Sequence, residues 1–232
     1  MSNEERDRLS AVYGELLGAD SAKRWSLTNA GNDAILRQRV EQTTRFVDAQ
    51  FLPRSPAVLD FGSGGETTLC PRLGARTDGT IRRVGVDILL ERLRAASGAT
   101  ASSLVCADGQ SLPFENDTFD VAAVFTVFSS ILDGDVRRRI AAELVRTLKP
   151  GGFVIWYDLR YRNPANRNLQ PLSRRAVERL FPTLTPTWTS TTVLPPLARR
   201  LTPLHRRCYA VASALPMLRS HLLGTLSKPQ TA

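Results

Sequence analysis

Apolar residues return along this chain in two different rhythms. Near the start, Leu9, Val12, Tyr13, Leu16 and Leu17 recur at helical spacing and predict a helix over residues 3–20. Ile35, Val40, Phe46 and Val47 supply the stripe of a second helix over 33–49, which Pro53 and Pro56 bring to a stop. From Ala57 the rhythm changes to short, nearly unbroken apolar runs, each closing on an acid, a glycine or a turn. These runs cover 57–61, 83–87, 103–107, 119–125 and 153–158, and they read as buried strands of a parallel sheet. Helical stretches over 67–73, 89–96 and 137–148 fall between them, with Lys149-Pro150-Gly151-Gly152 ending the last.

The final third is less regular, because Pro195, Pro196 and Pro203 interrupt it. Residues 173–181 predict a helix capped by Ser173, 185–193 a strand, 195–201 and 204–215 helices, and 220–226 a last strand. At least four strand–helix alternations argue a doubly wound, mostly parallel α/β sheet of seven strands, with the last strand antiparallel at one edge. Residues 1–54 form an N-terminal helical arm, and 55–232 the core, with substrate-facing insertions after residue 158.

The sequence has no apolar run of about eighteen residues, which excludes a membrane-spanning helix, and its charged start is unlike a signal peptide. A cytoplasmic protein is the expectation. Cys70, Cys106 and Cys208 lack metal-site spacing, and with only two histidines no metal centre is expected. Charge divides the chain sharply. Residues 159–232 carry 12 Lys and Arg against one acidic residue, whereas 1–158 carry 19 against 21. That basic third suits a solvated face, an acidic substrate or a nucleic acid, although its paired arginines match no nucleic-acid motif.

The chemistry gathers at Asp60-Phe61-Gly62-Ser63-Gly64-Gly65, where the first strand ends in an acid and breaks into a turn. Glycines here let the backbone approach a ligand closely, and the start of a following helix offers unpaired N–H groups. Asp87 stands 27 residues after Asp60 at the end of the second strand, placed to accept the hydroxyls of a ribose. A dinucleotide fingerprint needs a further glycine where Thr68 stands.

Val58-Leu59-Asp60-Phe61-Gly62-Ser63-Gly64-Gly65, Gly85-Val86-Asp87, Ala107-Asp108-Gly109 through Leu112-Pro113-Phe114, Phe119-Asp120-Val121 and Leu148-Lys149-Pro150-Gly151-Gly152 occur in an order that resembles the class I S-adenosylmethionine-dependent methyltransferases. The likeness covers about residues 55–156 and points to the small-molecule branch, of the ubiquinone and menaquinone biosynthesis type. It implies a Rossmann-like core with S-adenosyl-L-methionine as cofactor. Asp60, Gly62, Ser63 and Gly64 then meet the methionine and ribose, Asp87 the ribose hydroxyls, Asp108 and Gly109 the adenine edge, Ile88 or Leu89 the adenine face, and Phe125 the sulfonium. The resemblance also makes the N-terminal arm a lid, with Tyr13, Trp25, Asn29 and Asn32 as candidates. Trp25 serves equally well as a pin to the core. Arg37 or Arg39 can pair with the methionine carboxylate or lie on the wet face of the helix.

Methyl transfer needs alignment and exclusion of water, and a base only when the acceptor is a hydroxyl. Asp158, at the carboxyl end of the fifth strand, is the first candidate base. Tyr161 is a candidate pocket residue, and His205 has the proton-transfer chemistry of an imidazole. Asp120 reads as a structural turn anchor. Arg and Asn side chains in residues 158–168 suit an oxygen-rich or acidic small-molecule acceptor. Two alternatives are an RNA methyltransferase that uses the basic third and a cofactor-binding protein without turnover. An edge-mediated homodimer is compatible with the last strands.

Overall fold

The computed structural model describes residues 3–16, 26–64, 81–96, 103–162 and 166–230. The expected helix over 67–73, the last residues of the first helix, Trp25 and Gly65 lie outside the described residues. Helices α1 (Asn3–Leu16) and α2 (Ala30–Asp48) precede strand β1 (Ala57–Phe61). Then come β2 (Arg82–Asp87), α3 (Leu90–Ala96), β3 (Ser103–Cys106), β4 (Phe119–Phe125) and a 3-10 turn at Phe128–Ser130. Helix α4 (Gly134–Thr147) leads directly into β5 (Leu148–Leu159). The remainder is α5 (Arg174–Leu180), β6 (Thr185–Val193), α6 (Pro195–Leu201), α7 (Arg206–Ala214), a 3-10 turn at Pro216–Leu218 and β7 (Arg219–Ser227).

The seven strands form one sheet in the order β3-β2-β1-β4-β5-β7-β6. Strands β1 to β5 pair in parallel, and β7 runs antiparallel to both β5 and β6. The order reverses at β1, where neighbouring chain connections leave in opposite directions and a crevice opens at the carboxyl ends. Asp60 pairs in register with Gly85 on one side and Ala123 on the other, two small residues that leave room for its side chain.

Both faces of the sheet are covered. On one, Leu59, Phe61, Val124, Val154 and Trp156 pack against Val136, Ile140 and Leu144 of α4 and Val177 of α5. Trp156 is fully buried between Phe128 and Phe181, at ring separations of 4.9 and 6.2 Å. On the other face, Val58, Val121, Phe153 and Ile155 meet Phe46 and Val47 of α2. Ile35, Val193, Ala198, Tyr209 and Ala212 make a third, smaller core at the β6 end, joining α2, α6 and α7.

Element ends differ from expectation where caps decide them. Asn29 accepts N–H bonds from Gly31 and Asn32, so α2 begins before its apolar stripe does. Asp133 likewise caps α4 through Asp135 and Val136, ahead of the stripe that begins near Arg137. The Lys149–Gly152 run is incorporated in β5: Phe119 pairs with Leu148 and then Val121 with Phe153, so the glycines form an irregularity, with Gly151 at φ +78°. Asp120 anchors this region. Its carboxylate accepts from the Ala57 N–H at 2.8 Å and from Lys149 Nζ at 2.9 Å, tying the start of β1 to that of β5.

Candidate cofactor crevice

At the carboxyl ends of β1, β2 and β4 lies a crevice of about 660 Å³, counting space open to solvent. Gly62 leaves β1 in the left-handed region at φ +72°, where a Cβ would also press on Val127. Its N–H and that of Ser63 donate to the Val86 carbonyl, at 2.7 and 3.0 Å, folding the glycine turn back over β2. Asp87 then stands on the crevice floor, 5% exposed. Its carboxylate accepts from the Leu89 N–H at 2.9 Å, the Gly64 N–H at 3.1 Å and Arg92 Nη1 at 3.1 Å. The Arg92 guanidinium occupies the space a Cβ on Gly64 would need and lies 4.2 Å from the centre of the Tyr13 ring.

Helix α1 supplies the opposite wall through Leu9 and Tyr13, one helical turn apart. Arg8 bonds to Glu5 and to the Ser130 carbonyl, while Glu5 accepts from the Leu132 N–H at 3.2 Å. These bonds hold α1 on the turn that follows β4. The Arg8 hydrogen bond keeps the Glu5 carboxyl below its usual range, whereas burial pushes the Tyr13 phenol above its own. Phe61, Phe125, Val127, Ile131 and Ile140 line the rest.

The expected contact residues divide into two groups. Gly62, Asp87, Ile88, Gly109 and Phe125 line the crevice. Gly109 is held against the Phe61 ring, with no room for a side chain between them. Asp60 faces elsewhere, bonded at 2.5 Å to Arg83 in an ion pair that is buried on both sides. Burial raises its carboxyl to about 6 despite that arginine. Asp108 accepts from the Gln110 backbone and side chain, and Arg37 pairs with Asp33 on the surface. Asn29 caps α2, and Asn32 donates to the Ser26 carbonyl and accepts from Arg199.

None of the three candidates for proton transfer borders the crevice. Asp158 is wholly buried and accepts from the Ser129 and Leu159 N–H groups, at 3.0 and 2.7 Å. Burial raises its pKa, and its position makes it a brace for the turn after β4. Tyr161 is on the surface under the Arg160 guanidinium, and His205 caps α7 by accepting from the Arg207 N–H. The contributions of Arg92 and Ser130 were absent from the sequence reading. An arginine in the first turn of the helix after an acidic strand end is a visible signal; the fold of α1 onto Ser130 has no local signature.

These residues fit S-adenosylmethionine. Asp87 carries a carboxylate of the kind that would suit paired hydroxyls, and its Oδ2 accepts from Arg92 Nη1 and the Gly64 N–H. Ser63 Oγ is a buried hydroxyl with no hydrogen-bond partner among the described residues, beside the same turn. Phe61, Val86 and Phe125 provide apolar faces for a purine and for the carbons next to sulfur.

A family model described as a methyltransferase domain matches residues 59–156, which span β1 through most of β5. The chain is 30% identical over 172 residues to a demethylmenaquinone methyltransferase of Streptomyces avermitilis, covering 67% of this chain and 68% of that one. It is 35% identical over 99 residues to the sterol 4-C-methyltransferase strm-1 of Caenorhabditis elegans, covering 42% of this chain and 29% of that one. Among solved structures, the [4+2]-cyclase SpnF superposes with a TM-score of 0.61 at 16% identity, over 83% of this chain and 81% of that one, a likeness of fold alone. Sheet order, crevice and sequence agree, and the chain belongs to the class I S-adenosylmethionine-dependent methyltransferases.

Proposed function

We infer that this enzyme methylates an apolar, ring-bearing small molecule whose own hydroxyl is acidic, such as a phenol or hydroquinone, at that oxygen or at the adjacent ring carbon. One observation carries the reading: among the described residues lining the crevice, Asp87 is the only carboxylate, and there is no histidine. Asp87 belongs to the cofactor floor. The remaining wall is Leu9, Phe125, Val127 and Ile131, with Tyr13, Thr126 and Ser130 as polar contacts.

When bound, S-adenosylmethionine supplies an electrophilic methyl group. The chain's own part is to align the acceptor and exclude water, for which an apolar wall is suited. Burial keeps the Tyr13 phenol protonated near neutral pH, so it acts as a hydrogen-bond donor. With no base among the described residues of the wall, the acceptor supplies its own ionisation. A phenol does so near neutrality far more readily than a sugar hydroxyl. The two named relatives support the apolar, ring-bearing part of this reading, because a menaquinone precursor and a sterol are both apolar ring compounds bearing oxygen.

The test is transfer of labelled methyl from the cofactor to naphthols and hydroquinones, with sugars and aliphatic alcohols as controls. Label in the phenolic products alone is expected, and label confined to sugars overturns the reading. Asp87→Ala is expected to weaken binding of S-adenosylhomocysteine about 10- to 100-fold, the loss of charge-assisted hydrogen bonds. Unchanged affinity in a folded variant, by calorimetry, removes Asp87 from the site.

A further inference from the structure

The outer face of α7 has no partner among the described residues. Tyr209 and Ala212 turn inward to the small core, while Val211 points outward at 66% exposure. The same surface continues through Leu215 and Met217, which are 46% and 72% exposed, and Leu204 before the helix is 77% exposed. Val211 lies on α7 itself, Leu204 stands just before its His205 cap, and Leu215 and Met217 follow its end, so the exposed apolar side chains lie close together along one segment. Exposed Ala210, Ala214 and Pro216 fill the gaps. An apolar surface of this kind is uncommon on a protein that meets only water.

Cations surround it. Arg219 donates to the Ser213 carbonyl at 2.7 Å, and Arg160 reaches the Pro216 carbonyl at 3.4 Å while covering Tyr161. Arg207, on α7 four residues before Val211, Arg200 on α6 and Arg162, two residues beyond Arg160, are exposed. The single acidic residue of 159–232, Glu178, is engaged elsewhere by Trp188 Nε1 at 2.9 Å. No carboxylate of this third therefore offsets the arginines around the face. The face also stands at the end of the sheet where β5 and β6 finish, the end that carries the crevice.

We propose that the α7 face, with Leu204, Val211, Leu215 and Met217 in contact and the arginines around it, docks on an anionic lipid bilayer. Apolar side chains enter the boundary between headgroups and acyl chains, and the arginines pair with lipid phosphates. Docking in this pose turns the crevice end of the sheet toward the lipid, where an apolar ring acceptor partitions. Only that last consequence rests on the proposed acceptor class; the docking itself does not.

The experiment is co-sedimentation of the full chain with vesicles, without cofactor or acceptor. Vesicles of phosphatidylcholine with 30% phosphatidylglycerol are compared with phosphatidylcholine alone. Binding to the anionic vesicles is expected, falling at least tenfold in 0.5 M NaCl and at least tenfold in Val211→Asp/Met217→Asp. Both substituted side chains are largely exposed, so the variant should keep its melting temperature and its S-adenosylhomocysteine affinity; Leu204→Asp gives a second, independent variant. Absence of binding, equal binding to both vesicle types, or undiminished binding by the variants overturns the proposal. So does sedimentation equilibrium showing a wild-type dimer that the variants convert to monomer, since a second copy then covers the face. Failure of vesicle binding leaves the methyl-transfer assay untouched, and failure of that assay leaves vesicle binding untouched.

Discussion

The two ends of the sheet solve the problem of buried polar groups in opposite ways. At the crevice, β1, β2 and β4 present backbone N–H groups and one carboxylate, and the bonds that shape the site join neighbours on adjacent strands. At the β5–β7–β6 edge, a connected set of side chains is sealed inside. Tyr157 stacks on His221 at 4.5 Å, its hydroxyl bonds to Thr192 at 2.8 Å, and Arg39 lies 5.5 Å over its ring. Gln38 accepts from both the Thr192 N–H and the Tyr209 hydroxyl, at 3.1 and 2.7 Å. The first arrangement borders open space, with the Asp87 carboxylate on its floor; the second is closed on itself and holds α2 and α7 to the strands. Polarity buried near a ligand site therefore does not by itself mark a residue that meets the ligand.

Asp60 gives the largest test of that contrast, because the motif places it with the ligand and the structure places it with Arg83. Asp60→Ala leaves a buried, unpaired guanidinium and is expected to destabilise the fold by about 3–5 kcal/mol in urea denaturation. S-adenosylhomocysteine affinity of the folded protein should change less than threefold. A large affinity loss at unchanged stability would return Asp60 to the ligand.

The two ends also oppose each other in their response to pH. Burial lowers the His221 imidazole to about 3, so the unfolded chain protonates first as pH drops below about 6.5. Its contribution to stability is present above that pH and is lost as pH falls toward 3, at about 1.4 kcal/mol per pH unit. Asp60, raised to about 6, acts in the other direction. The folded state holds its proton more tightly, so this contribution is present below about pH 4 and is lost as pH rises through 6. His221→Phe should flatten the acid limb of the stability curve and Asp60→Asn should steepen it, as read by urea midpoints between pH 4 and 7. Parallel curves for both variants would contradict the assignment.

Asp158 lies between the two regions. In Asp158→Asn, one amide face must meet an N–H donor, Ser129 or Leu159, and the expected loss is about 1–3 kcal/mol. Because the turn it braces carries Val127 and Ser130, turnover should drop with stability. A pH–rate profile that loses an ionisation in this variant would instead identify Asp158 as a base.

The smallest effect compares two threonines in the left-handed region, Thr126 at φ 55° and Thr192 at φ 63°. Both are tied to Tyr157: the Thr126 N–H donates to its carbonyl, and the Thr192 hydroxyl meets its phenol. Glycine relieves about 1–2 kcal/mol of strain at either position and costs about 0.5–1 kcal/mol in chain entropy. Only Thr192→Gly also gives up a buried side-chain hydrogen bond, so it should be about 1 kcal/mol less stable than Thr126→Gly. Equal stabilities would mean that the Thr192 hydroxyl contributes nothing.

What the sequence made legible follows the same division. The strands around the crevice and the placement of Gly62, Asp87 and Phe125 at their ends came from consecutive residues whose type and spacing carry their own physical meaning. Asp60 was assigned to the ligand because a strand-end acid has that meaning locally. Its partner Arg83 becomes apparent only when β1 and β2 are set in register. Helix ends moved where a cap, Asn29 or Asp133, lay ahead of the apolar stripe. The Gln38–Thr192–Tyr209 contacts join positions 154 and 171 residues apart, and no periodicity encodes such a meeting.

The position of β7 has a consequence for how the chain is made. Strand β6 touches the sheet only through β7, which follows it in the sequence. As the polypeptide is made, β6 waits without a pairing neighbour while the 34 residues from Leu194 to Ser227 are added. At ordinary synthesis rates that interval is about 2–7 s. A chain ended at Leu218 therefore lacks two strands of the finished sheet, and protease cutting of that released fragment should show β6 exposed where the full chain protects it.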